Sequence, residues 1–142
     1  NRDYPRIRIW ENALYLISQR PLLGWGAGTL PYLTSYVPPY QNYQHTHNLI
    51  IEFAFNFGIP MAIITFSTIL KIMKTAYIKI KSIKPSLDNY KICISFFAAF
   101  MVFLIAHLND ITYYDGKISI IFSILLACLK NIIEEKNNFK RI

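Results

Sequence analysis

His45 and His47 stand one residue apart, directly before Asn48 and a long apolar run. Imidazole changes protonation near neutral pH, so either ring is suited to take a proton from a sugar hydroxyl. The plainer reading is that His47 ends a loop and satisfies backbone groups. A His-x-His pair can also ligate a metal, but no third ligand follows at a recognisable spacing, so no metal is expected. Upstream lie Arg6 and Arg8, whose guanidinium forks match phosphate oxygens. Arg6 falls in the first turn of an expected helix, where free backbone N–H groups favour anions. For Arg8 and Arg20, contact with lipid headgroups is the simpler reading. Glu52 lies one turn inside the apolar run, placed to orient a histidine or pair with an arginine. His107 and Asp110 close a second apolar run, where ionisable residues are site candidates and a helix-end cap is the alternative. Tyr40 and Tyr43 could stack on sugars, or join Tyr32 and Tyr36 in an interfacial aromatic belt.

These residues must be positioned by helices. Tyr4 to Arg20 reads as a helix with Pro5 in its first turn and Asp3 as cap. Ile7, Trp10, Leu14 and Ile17 share one expected packed face, with Arg6 beside it and Arg8 opposite. Pro21 stops that helix, and Pro21 to His47 is expected to be irregular. Gly24-x-Gly26-x-Gly28 lacks the Lys-Ser/Thr ending and preceding strand of a phosphate loop, so it is read as a compact turn. Three apolar runs follow. Leu49 to Met73, capped by Asn48, is expected to span a bilayer as one helix interrupted by Gly58 and Pro60. Ile92 to Leu108 and Ile118 to Ile133 are the second and third spans, with Lys130 snorkelling at the end of the third. The expected fold is an all-α membrane helical bundle, divided into an outward loop with an interfacial helix (1–48), three spans (49–133) and a cytoplasmic tail (134–142).

The chain has 142 residues, 54% of them hydrophobic, and a net charge of +7. The charge is not spread for nucleic acid, which would want basic and aromatic residues interleaved on one surface. Instead Lys71, Lys74, Lys79, Lys81, Lys84 and Lys91 fall around one linker, and Lys130, Lys136, Lys140 and Arg141 after the last run. That pattern places both regions on the cytoplasmic side. Arg6, Arg8, His45, His47, His107, Asp110 and Asp115 then share the outside, with Thr34 outside and Ser82 inside. Cys93 and Cys128 lie in apolar runs and read as small hydrophobes. The first residues have the character of mid-protein sequence, so the chain is read as the C-terminal piece of a longer protein.

Arg6-x-x-x-Trp10, Pro21-Leu22-Leu23-Gly24-Trp25-Gly26-x-Gly28, His45-x-His47-Asn48, Glu52 and Gly58-Ile59-Pro60 together resemble the O-antigen ligase and polymerase superfamily, the WaaL-like and Wzy-like membrane glycosyltransferases. His107-Leu108-Asn109-Asp110 resembles the segment after that family's next span. The resemblance covers the first half by motif and the second mainly by topology; Trp25 stands where an aliphatic residue is commoner. It implies a polyprenyl-pyrophosphate-linked glycan donor, transfer outside the bacterial cytoplasmic membrane, and no cofactor. The acceptor is another glycan in polymerases of O-antigen or capsule, or lipid A core in ligases. Arg6 would bind pyrophosphate and His47 would help activate the acceptor hydroxyl. The rival class is a transporter or permease subunit with an outward anion site, although transporters more often carry polar residues at mid-span.

Overall fold

The computed structural model describes residues 5–36, 43–84, 88–111 and 115–134. Those residues hold six helices: α1 (Pro5–Gln19), α2 (Leu30–Thr34), α3 (Leu49–Phe57), α4 (Ile59–Lys81), α5 (Asp88–His107) and α6 (Gly116–Glu134). No strand occurs among the described residues, so the fold is all-α. α4, α5 and α6 are long and apolar enough to cross a membrane. At 1.5 Å per residue each reaches about 30 Å, the depth of a hydrocarbon core. Ile63, Leu70, Ile78, Val102, Ile120 and Ile124 are all exposed on them. In lipid such a surface costs nothing, whereas in water it would drive aggregation.

The chain divides into two compact units, Asn1–Phe66 with His107–Ile111, and Ser67–Ala106 with Thr112–Ile142. In the second, aromatic side chains set helix against helix. Tyr77 meets Phe97 with ring centroids 5.7 Å apart, and Phe122 lies 5.6 Å from Phe100 and 5.4 Å from Phe103. Ala76, Phe100 and Leu129 are fully buried there.

The first unit holds the candidate site and packs α1 on α3. Leu16 and Ile17 of α1, Leu30 of α2 and Phe55 of α3 form its core, with Trp25, Leu33 and Tyr43 against them. The packed face of α1 differs from the expected one. Ile9, Asn12, Ala13, Leu16 and Ile17 are buried, while Ile7 and Leu14 are exposed. The small Ala13 is wholly buried on this face, beside Leu16 and Ile17 of the core. Arg8 is half-buried and Arg6 exposed, rather than Arg8 lying on the open face.

The apolar run after Asn48 is not one helix. α3 ends at Phe57, and Gly58 leaves helical geometry with φ 86° before α4 begins. Pro60 sits in the first turn of α4, where its missing N–H costs nothing. The broken backbone is satisfied by the loop after α1. Trp25 N–H donates to Phe55 C=O at 2.8 Å, Gly26 N–H to Asn56 C=O at 3.0 Å, and Ile59 N–H to Pro21 C=O at 2.7 Å. A Cβ on Gly24 would come within 2.7 Å of the Phe55 and Asn56 backbone, so the close approach requires glycine. The segment expected to be irregular thus contains α2 and a glycine turn seated on the end of α3. Trp25 fastens the turn further, its indole Nε1 donating to Leu16 C=O at 2.7 Å. An aliphatic side chain cannot make that bond.

Candidate functional site

The His45–His47 segment is held by the residue between the two rings. Thr46 is fully buried. Its N–H donates to Glu52 Oε2 at 2.9 Å, and its C=O accepts from Trp10 Nε1 at 2.8 Å. Its hydroxyl donates to Asn48 C=O at 2.9 Å. One bond comes from α1, one from α3 and one from the cap, so the backbone carrying both imidazoles is fixed from three directions. His47 adopts φ 54°, in the left-handed region that non-glycine residues rarely occupy. That turn lets residue 48 enter α3 as its cap. Asn48 Oδ1 accepts from Ile50 N–H and Ile51 N–H at 3.0 and 3.1 Å, satisfying two of the helix's free donors. Its Nδ2 donates to Leu108 C=O at 3.1 Å, tying the segment after α5 to the histidine loop.

The same segment delivers Asp110. Asp110 Oδ1 lies 2.9 Å from His47 Nδ1. The His47 hydrogen bond, aided by Ile111 N–H, holds the Asp110 carboxyl below the usual carboxylate range. An ionised carboxylate only accepts, so His47 Nδ1 carries the proton and donates; in the neutral ring the electron pair is then on Nε2. His45 stacks edge-on to His47, with ring centroids 4.1 Å apart and planes at 61°. Burial first, then the nearby His47 ring, push the His45 pKa below 6.5, while Glu52 and Asp110 pull the other way. His45 Nδ1 is buried without a hydrogen-bond partner among the described residues.

The expected site residues fall into distinct places. His45, His47 and Asp110 come together. Glu52 is buried and serves the loop backbone and Asn56 Nδ2, the latter at 3.2 Å. The partner that aims His47 is Asp110, not Glu52. His107 is buried in the last turn of α5. Arg6 is one helical turn before Trp10, which places it on the stripe of α1 that touches the histidine loop. Arg8 is four residues before the buried Asn12 on another side. Tyr43 is half-buried against the core, its N–H donating to Thr34 Oγ1 at 3.3 Å. Tyr40 lies outside the described residues.

Sequence reasoning missed Thr46 and the bridging roles of Trp10 and Asn48. The Asn48 cap was legible from residue type and position. Its second bond was not, because Leu108 is 60 residues away. The third ligand judged missing for a metal also has a source here, since Asp110 reaches the histidines from beyond α5.

No curated protein and no solved structure matches the chain. Residues 3–66 match the family model described as O-antigen ligase. The matched span runs from the start of α1 through the glycine turn, the histidine loop, α3 and the opening of α4; His107 and Asp110 lie beyond it. The chain thus joins three helices of membrane-spanning length and composition to a segment, residues 3–66, that is similar to the O-antigen ligase family.

Proposed function

We propose that the chain carries the acceptor-activating part of a glycosyltransferase that uses a polyprenyl-pyrophosphate-linked glycan outside the bacterial cytoplasmic membrane. The observation that carries this reading is the His47–Asp110 pair at 2.9 Å, on a loop that Trp10 ties to the arginine-bearing helix. Asp110 fixes the His47 tautomer, so Nε2 is the basic atom. In the proposed step the acceptor sugar hydroxyl gives its proton to Nε2 and its oxygen bonds to the donor's anomeric carbon. The bond from that carbon to the pyrophosphate oxygen breaks, and polyprenyl pyrophosphate leaves. The leaving group carries its charge away, so the protein must stabilise an anion rather than create a strong nucleophile. Arg6 supplies that charge, with Arg8 as a weaker contributor. Tyr40, Tyr43 and His107 belong to the substrate surroundings in this reading, and Glu52 acts through the loop.

The similarity of residues 3–66 to the O-antigen ligase family supports a role in polysaccharide biosynthesis. Within it, polymerisation of O-antigen or capsule repeats is proposed ahead of ligation to lipid A core. Glycan analysis of a deletion strain separates them. Loss of long chains with single repeats kept on the core indicates a polymerase. Loss of all attached repeats, with lipid-linked glycan accumulating, indicates a ligase. Unchanged surface glycan would remove both and favour the permease alternative. Complementation with Arg6→Ala should give no ladder, and Arg6→Lys only a faint one, because a point charge does not reproduce the planar fork. Equal, mild losses for Arg6→Ala and Arg8→Ala would reduce both arginines to headgroup contacts.

A further inference from the structure

Three metal-type donors from distant parts of the chain meet beside the loop. One ring nitrogen each from His45 and His47 and one Asp110 oxygen lie within 4.8 Å of one another. The spacing of the two rings is set in advance, because Trp10 and Glu52 fix the backbone of Thr46 between them. The cluster is also reachable, with the His47 side chain 33% exposed and that of Asp110 56% exposed. His45 brings a buried ring nitrogen that no described residue satisfies. Two imidazoles and one carboxylate suit a borderline ion such as Zn2+ and leave a fourth position open. Hard ions such as Mg2+ and Ca2+ want oxygen ligands throughout, and the cluster offers one oxygen-bearing side chain. Tetrahedral bonds of about 2.0 Å bring donors to about 3.3 Å from each other, a closure that rotation of the exposed Asp110 side chain and small turns of the half-buried rings can supply.

We propose that His45, His47 and Asp110 form a Zn2+ site, and that the bound ion switches glycan transfer off. If Zn2+ takes His47 Nε2, the electron pair that would accept the proton is gone. If it takes Nδ1, the hydrogen bond that aims the ring is gone. Either mode removes the base. The switch rests on the reading of His47 as that base; ion binding does not.

The test uses the full chain in detergent micelles, free of any polyhistidine tag. Titration with Zn2+ should show one equivalent bound, and Co2+ should give a tetrahedral absorption band. Mg2+ should neither bind nor compete. His45→Ala and Asp110→Asn should each weaken Zn2+ binding by ~10-fold or more, with helix content unchanged by circular dichroism. Affinity unchanged in both variants, or equal competition by Mg2+, overturns the site. In membranes, Zn2+ should stop transfer and a chelator restore it. For His45→Ala, measured against its own zinc-free rate, the inhibitory Zn2+ concentration should rise by the same factor. One equivalent of Zn2+ bound with transfer undiminished overturns the switch. Absence of transfer without Zn2+ faults the glycosyl-transfer reading instead, and the titration still decides the site.

Discussion

The proposed proton transfer through His47 makes sharp demands on neighbouring side chains. His47→Ala and His47→Gln should each lower turnover by ~10² or more, since an amide hydrogen-bonds but cannot take the proton. Glycan laddering in a complemented deletion strain, with immunoblots for protein level, reads this directly. Full ladders from His47→Gln would reduce the ring to a structural end of the loop. Asp110→Asn keeps an acceptor for Nδ1–H but loses the charge, so a smaller loss, on the order of 10-fold, is expected. Glu52 behaves differently, because both its oxygens accept hydrogen bonds in the interior. In Glu52→Gln the amide oxygen can hold Thr46 N–H and Asn56 can turn its own amide to match, so the ladder should survive. Glu52→Leu leaves Thr46 N–H buried and unpaired, at a cost of about 1–3 kcal/mol, and should release the histidines. Loss of ladder in Glu52→Gln at normal protein level would assign its charge to the substrate. Histidines and arginines were legible in the sequence by chemical type. The pairing was not, because Asp110 is 63 residues from His47 and only the end of α5 brings it back.

Between α3 and α4 a short loop does the work that a continuous helix would otherwise do for itself. Gly24 has φ 68° and backbone atoms of α3 where a Cβ would go. Gly24→Ala should therefore destabilise the first unit by about 2–4 kcal/mol, combining an unfavourable φ with a clash that backbone cannot relieve. Gly28 has φ 76° but open space around it. Asparagine tolerates that region, so Gly28→Asn should keep most of the thermal stability in detergent. Comparable melting shifts for the two would mean that the glycine turn is not seated on α3. Gly58 and Pro60 were visible in the sequence as an interruption. Whether an interruption kinks a helix or ends it depends on which donors meet the freed carbonyls, here Trp25 and Gly26 from 30 residues upstream. Periodicity along the run carries no record of them. The same limit applies to α1, where Ile9, Ala13 and Leu16 are buried while Ile7 and Leu14 are exposed.

Across the whole chain, runs of apolar residues announced three membrane-length helices, but Lys71, Lys74, Lys79 and Lys81, expected around a linker, lie in the second half of α4, which runs on to Lys81. The lysine asymmetry predicts a sidedness that labelling can check. Thr34 is fully buried and makes a poor reporter, but the neighbouring Ser35 is exposed, as is Ser82. With Cys93 and Cys128 replaced by alanine, Ser35→Cys should react with an impermeant thiol reagent in intact cells. Ser82→Cys should react only after permeabilisation. The reverse pattern would place the histidine loop in the cytoplasm, away from any lipid-linked donor on the outer leaflet. One further property follows from the two indoles. The chain has only two tryptophans. Trp10 donates to the histidine loop and Trp25 to the last turns of α1. The molecule therefore carries a native pair of fluorophores, one at the histidine loop and one at the glycine turn. In a Trp25→Phe background the emission of Trp10 becomes an optical record of whatever enters beside His47, with no dye attached.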